Sequence, residues 1–287
     1  AAQPAQAPQQ QPPEQAPVQP PPAKQPAPAK PAAAKPKPQA PAEDNIEGFW
    51  SLGVTYWRPD GRPRLRGGAL SPDPPVQSLD FPGKPKYGTG VVLTTPAGRS
   101  NRIEISLFET RGHSNSIAPR DLVLFGDEYE SGEYLSSDYK IRTGKLSLNY
   151  LTYPNPPLDT KLRIKTLWEL QYVQIKTLTV APFRAIEGVP AFPTAGSRSI
   201  FLPTIGLGLE IVPSPKHFRL DIRASGMGFS GRSVILDGEA SAVVRAGRHL
   251  EIFGGAKAFY FRTTPKKDLF FSGTLFGPML GVRWVFR

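Results

Sequence analysis

The sequence predicts an all-β fold, a transmembrane antiparallel up-and-down β-barrel of about ten strands over residues 46–287, preceded by a disordered Pro/Ala/Lys-rich tail over residues 1–45. Three observations predict it. Apolar and polar residues alternate with a period of two in ten separate runs, and no helical period is sustained. The connections between those runs are alternately long and short. The polar faces carry Arg, Asp and Glu in alternating sign, with Gly, Ser and Thr between them, which suits a barrel lumen.

Composition removes the competing classes. The 287 residues include 34 Pro, 27 Gly and no Cys, so disulfide frameworks, thiolate metal sites and cysteine nucleophiles are excluded together. No stretch approaches the roughly 18 apolar residues that a membrane-spanning helix needs. The chain begins with Ala, and the reading is of a processed form whose signal peptide has been removed. A formal charge of +11 points to acidic partners without choosing among them. In the tail, 14 prolines with Ala, Gln and the lysines Lys24, Lys30, Lys35 and Lys37 cannot bury enough apolar surface to offset their ordering entropy. Such a segment favours polyproline II and would reach on the order of 100 Å as a spacer.

The ten runs follow in order. Phe49–Trp57 sets Trp50, Leu52, Val54 and Tyr56 against Ser51, Gly53 and Thr55. The second spans about Tyr87–Thr95, and the third, about Arg102–Thr110, opposes Ile103, Ile105 and Leu107 to Arg102, Glu104 and Ser106. In the fourth, Tyr134–Tyr153, the apolar phase slips between Ile141 and Leu146, which predicts a β-bulge near Gly144. The fifth, Lys161–Val180, opposes Leu162, Ile164, Trp168 and Leu170 to Arg163, Lys165 and Glu169. Ser199–Val212 is the sixth. The seventh, Phe218–Gly226, alternates Phe218, Leu220 and Ile222 with Arg219, Asp221 and Arg223, and the eighth, Val234–Ala246, faces Asp237, Glu239, Ser241 and Arg245 one way. Leu250–Arg262 and Phe271–Phe286 complete the set. Tight turns at Pro96–Ser100, Pro154–Thr160, Pro213–Lys216 and Gly247–His249 alternate with longer segments, although Ser230–Arg232 is short where a long loop is expected.

A soluble barrel hides its apolar face, whereas a membrane barrel turns that face to lipid. Arg219, Asp221 and Arg223 beside Asp237, Glu239 and Arg245 make a cross-strand charge ladder on the inner side, joined by Arg163, Glu169 and Arg283. These nine are the candidate lumen or constriction residues. Aromatic residues near strand ends, among them Trp57, Tyr150, Tyr153, Tyr172, Tyr260 and Trp284, fit interfacial girdles.

At the chain end Gly281, Trp284 and Phe286 stand in the spacing Gly-x-x-aromatic-x-aromatic. This resembles the terminal-strand signal of small bacterial outer-membrane β-barrel proteins, with Arg287 following the final Phe and Met279 at a position usually polar. The resemblance implies insertion by the barrel assembly machinery, residence in a Gram-negative outer membrane, and a tail that is periplasmic.

Little chemistry is legible. Gly226, Gly228 and Gly231 form Gly-x-Gly-x-x-Gly, but an alternating run follows where a dinucleotide site needs a helix. His113, His217 and His249 show no metal-ligand spacing, so no cofactor or metal is expected. His113 with Ser114 and Ser116 is similar to the His-x-Ser of outer-membrane lipid A deacylases, with Asn115 in place of the serine; the Asp pairs of omptin proteases are lacking. Asp127, Glu128, Glu130 and Glu133 read as an acidic loop without Ca²⁺-loop spacing. Arg58, Arg62, Arg64 and Arg66 are candidates for surface contact with lipopolysaccharide phosphates. Nucleic acid is not an expected partner, because the aromatic residues point to lipid. The expected function is a structural or surface-interacting outer-membrane barrel, or a narrow pore with a charge-lined lumen, and not an enzyme. The partners are outer-membrane lipid and a periplasmic or cell-wall partner of the tail. The alternatives are a lipid-modifying or proteolytic enzyme and a soluble ligand-carrying barrel.

Overall fold

The computed structural model describes residues 49–59, 85–98, 101–154, 161–185, 188, 192–214, 217–229, 233–264 and 270–286. The tail and Arg62, Arg64 and Arg66 lie outside them. Twelve strands occur among the described residues: β1 (Trp50–Trp57), β2 (Pro85–Pro96), β3 (Arg102–Ile117), β4 (Leu122–Leu124), β5 (Asp127–Tyr129), β6 (Tyr134–Tyr153), β7 (Leu162–Val180), β8 (Thr194–Ser214), β9 (Phe218–Gly228), β10 (Val234–Arg245), β11 (Leu250–Arg262) and β12 (Ser272–Phe286). Ten close into an antiparallel barrel in the order β1-β12-β11-β10-β9-β8-β7-β6-β3-β2, and β4 and β5 form a separate hairpin. Closure is made by β1 against β12, from Trp50 opposite Phe286 to Trp57 opposite Met279. Each of the ten barrel strands takes in one of the alternating runs to within a residue at either end, and β3 and β8 extend beyond theirs, to Ile117 and back to Thr194.

The period of two is obeyed inside out. Leu107, Phe201 and Leu207 expose 59%, 64% and 64% of their surface, while Glu104, Glu169, Arg219, Asp237 and Arg283 are buried. Water cannot sustain an apolar band that circles the whole barrel; hydrocarbon can, so these strands span a membrane. Along β8 the outward apolar positions run from Phe201 to Ile211 and along β7 from Leu162 to Tyr172. About eleven residues tilted as barrel strands are span a hydrocarbon layer.

The expected bulge at Gly144 is absent. Pairing of β6 with β3 and with β7 runs through Gly144 without a shift, and the one β6–β7 irregularity lies between Leu151 and Tyr153. What changes at Gly144 is the solvent. Below it Leu146, Leu148 and Tyr150 face out and Lys145, Ser147 and Asn149 face in; above it Ile141, Tyr139 and Leu135 are buried inside while Arg142 and Asp138 are exposed. The same reversal crosses β7 between Tyr172 and Gln174, β8 between Phe201 and Ser199, and β3 between Leu107 and Glu109. Four long strands therefore rise out of the membrane as a wall with a water-side exterior and an apolar interior.

That interior is a core. Leu122, Leu124 and Tyr129 of the β4–β5 hairpin are buried with Tyr139, Ile141, Val173, Ile175, Ile200, Phe259, Phe261 and Phe271. The hairpin turns on Phe125 at φ 55° and Gly126 at φ 91°, both in the left-handed region that a two-residue hairpin requires. A left-handed Phe is costly; its ring is held by stacking on Phe271 at 5.7 Å and by lying over Gly196, where a Cβ would collide with it. Glycine makes room for inward aromatic rings elsewhere too: Gly281 lies directly opposite Phe253 and Gly112 opposite Tyr139, and in each pair the ring comes within 2.3 Å of where a Cβ on the glycine would fall.

Candidate functional site

The lumen is the site that the inward strand positions build. Alternating charges on neighbouring strands form two rows. Arg223, Glu239 and Lys257 are register partners across β9, β10 and β11, and Arg245, Glu251 and Arg283 across β10, β11 and β12. Opposite charges placed directly across a strand pair attract, so each row supports the pairing that carries it.

The stronger bonds leave the rows and cross the interior. Arg223 donates to both oxygens of Glu104 on β3, at 2.9 and 2.8 Å, and lies 3.8 Å from its neighbour Glu239. Asp237 accepts from Lys257 at 2.7 Å and from Lys145 of β6 at 2.8 Å. Glu169 accepts from Ser225 at 2.6 Å, Gln171 at 2.8 Å and Thr204 at 3.1 Å. Nearer the short turns, Arg219 forks onto Glu251 with two bonds of 3.0 Å and reaches Asp221 at 3.2 Å. Arg283 reaches the same Glu251 at 3.4 Å, Arg245 lies 3.9 Å from it, and Glu210 receives Lys165 at 2.5 Å with Arg163 4.0 Å away. The nine sequence-selected residues thus occupy two levels, Glu169, Arg223, Asp237 and Glu239 in the middle and the others nearer the turns. Lys145 was not singled out from the sequence, because it falls within the change of phase between Ile141 and Leu146, where the alternation alone does not assign a side.

Little space remains between these groups. The cavity bounded by Glu104, Lys145, Arg223, Glu239, Lys257 and Arg283 measures about 20 Å³, room for one or two waters. Toward the loops the lumen ends against the apolar core, where Lys257 sits 5.5 Å from the Phe108 ring centroid and Phe108 meets Trp57 edge-on. Among the described residues, the charged groups and the hairpin core fill most of the barrel interior.

A short 3-10 turn at Pro182–Ala185 clamps the hairpin from the β7–β8 side. Arg184 pairs with Glu133, bonds the Glu128 carbonyl, approaches Asp127 at 3.5 Å and lies 4.9 Å over the Tyr129 ring. Burial raises the Tyr129 hydroxyl above the usual tyrosine range, so it stays protonated and donates to Thr194 at 2.9 Å. The acidic loop is thus partly neutralised: Asp127 and Glu133 are salt-bridged by one arginine. Arg184→Ala is expected to leave the barrel folded and to make the β4–β5 segment cleavable by added protease at least about tenfold faster, since local opening governs such cleavage.

His113 and the nearby serines do not assemble. Residues 111–117 belong to β3 and not to a connection; His113 faces outward to Asp138, with Nδ1 2.9 Å from the carboxylate, whereas Ser114 is buried on the opposite face. Ser116 shares the inner side with Ser114. Of the terminal triplet, Gly281 points inward and Trp284 and Phe286 outward into the apolar band, with Trp284 stacked on His249 at 5.6 Å. Among the four loop arginines only Arg58 is described; it is exposed, and its backbone amide bonds the Pro278 carbonyl.

No family model matches the sequence, and no curated protein is similar to it. Solved structures do match. Ail, the attachment invasion locus protein of Yersinia pestis, is 13% identical over 83% of this chain and 99% of its own, with a TM-score of 0.32. Ail in complex with the heparin analogue sucrose octasulfate is 15% identical over the same shares, at 0.34. A major outer membrane protein from Thermus thermophilus is 12% identical over the same shares, at 0.28.

Proposed function

We propose that the chain is a sealed barrel of a bacterial outer membrane that serves as a structural and surface-interacting element. The observation that carries this reading is the inverted burial: apolar groups to lipid, paired charges within, and an apolar core across the loop end. Short turns and both ends of the barrel would lie on the periplasmic side and the four-stranded wall outside the cell. The Pro-rich tail would then extend into the periplasm toward a partner or the cell wall. Insertion by the barrel assembly machinery would use β12, whose Trp284 and Phe286 present the aromatic edge that pairs with β1. Any constriction would lie at Arg219, Asp221, Arg223, Asp237 and Glu239, and contact with lipopolysaccharide would be made from the outer surface, Arg58 included.

Two measurements separate the possibilities. Folded protein in detergent is expected to migrate differently with and without boiling, and in planar bilayers to give no unitary current. Stable single-channel steps would replace the sealed barrel with a pore; solubility without detergent would overturn the membrane assignment itself.

A further inference from the structure

Just above the lipid boundary the long wall carries a charge pattern that the fold does not require. Leu107, Gly144, Tyr172 and Phe201 are register partners on β3, β6, β7 and β8 and form the last apolar row. The next outward row is Glu109, Arg142, Gln174 and Ser199, and the one above it Arg111, Lys140, Lys176 and Ser197. Three cations thus stand directly opposite one another on strands about 4.8 Å apart, an arrangement that destabilises a sheet unless an anion relieves it.

One carboxylate does so in part. Glu109 lies 2.7 Å from Arg111, 2.7 Å from Arg142 and 3.0 Å from Lys140, which gathers three cationic heads at one point. Lys176 is exposed and has no ion pair among the described residues. Within these two rows four cations surround one carboxylate, a net +3; the Asp138 carboxylate in the row above, paired with His113, lowers the net charge of the patch to +2. The side chains of Arg111 and Arg142 remain 68% and 51% exposed, and a guanidinium has five donors, more than the single carboxylate takes up.

We propose that Arg111, Lys140, Arg142 and Lys176 form a binding site for the phosphate groups of outer-leaflet lipopolysaccharide. The height selects this anion. A lipid whose acyl chains lie on Leu107, Tyr172 and Phe201 places its phosphorylated sugar one to two residues higher, level with the two cationic rows. Arginine meets phosphate oxygens in pairs, and lysine adds point charge. Glu109 holds the heads in place before the lipid arrives. The proposal rests on the outer-membrane reading above and adds to it a residue-level site, distinct from the loop arginines.

The test uses the full chain folded in a nonionic detergent, titrated with bisphosphorylated lipid A and with the same lipid A stripped of its phosphates. Binding is expected to weaken about tenfold or more on dephosphorylation, and by about tenfold in each of Arg111→Gln and Lys176→Gln, since each charge-assisted contact is worth roughly that factor. Both substitutions sit on the exposed face and are expected to keep the heat-dependent mobility shift. Equal binding of the two lipids, wild-type binding by the variants, or displacement by millimolar inorganic phosphate would overturn the site. The mobility shift separates the two readings: if it persists while phosphate preference is absent, only this site falls, and if it is absent both fall.

Discussion

Leu207→Arg is expected to destabilise the folded barrel by about 2 to 4 kcal/mol, the cost of an arginine near the middle of a lipid-facing barrel wall. Leu207 is 64% exposed and sits among Phe201, Ile205, Leu209 and Ile211 on the outer face of β8. In a water-soluble barrel the same change at so exposed a position would be close to neutral. Ser199→Arg supplies the comparison, because its side chain lies one outward position above the apolar band. Urea unfolding in lipid vesicles, followed by tryptophan fluorescence, is expected to place Ser199→Arg near the parent and Leu207→Arg well below it. Equal stability of the two variants would be incompatible with a lipid-facing wall.

Glu251→Ala should cost about 3 to 5 kcal/mol, the penalty for removing one partner of a buried ion pair and stranding the other. Here the remaining groups are several. Arg219, Arg245 and Arg283 converge on this carboxylate, which is almost fully buried. Without it three guanidinium groups would face one another in the narrow end of the lumen, with Asp221 left to pair Arg219. Glu251→Gln, which keeps an acceptor oxygen but no charge, is expected to fall between. The same unfolding measurement reads both; a loss below about 1 kcal/mol for Glu251→Ala would mean that water fills the lumen and screens it.

The strand pattern was legible wherever one solvent acted on the whole strand. β1, β9, β10, β11 and β12 each keep one apolar face from end to end in the sequence, and each matches its run closely. The long strands were harder. In β6 the exchange of lipid for water at Gly144 swaps which side is apolar at constant register, and from sequence alone this is indistinguishable from a one-residue slip. The same exchange hid the upper end of β3, whose Arg111, His113 and Asn115 read as loop beyond the run that ended near Thr110. Lumen charges on neighbouring strands could be paired from the runs. Arg223 with Glu104 and Lys145 with Asp237 could not, since closure brings together strands far apart in the chain. The basic site on the wall was missed for a related reason: Arg111, Lys140, Arg142 and Lys176 come from three segments and become neighbours only through the register.

The reversal of polarity along the long strands also fixes how deep the protein sits. A barrel with polarity of one sense throughout can ride up or down to suit a thicker or thinner bilayer, at a modest cost per ångström. Here a shift inward by two residues would push Arg142 and Glu109 into hydrocarbon, and a shift outward would lift Tyr172 and Phe201 into water. Because this waterline is drawn on only one side, from β3 to β8, that side is pinned while the shorter strands β9 to β2 can follow the membrane. In a bilayer of the wrong thickness the protein would therefore lean about its long wall, and the lipids beside that wall would adjust their own thickness to meet it.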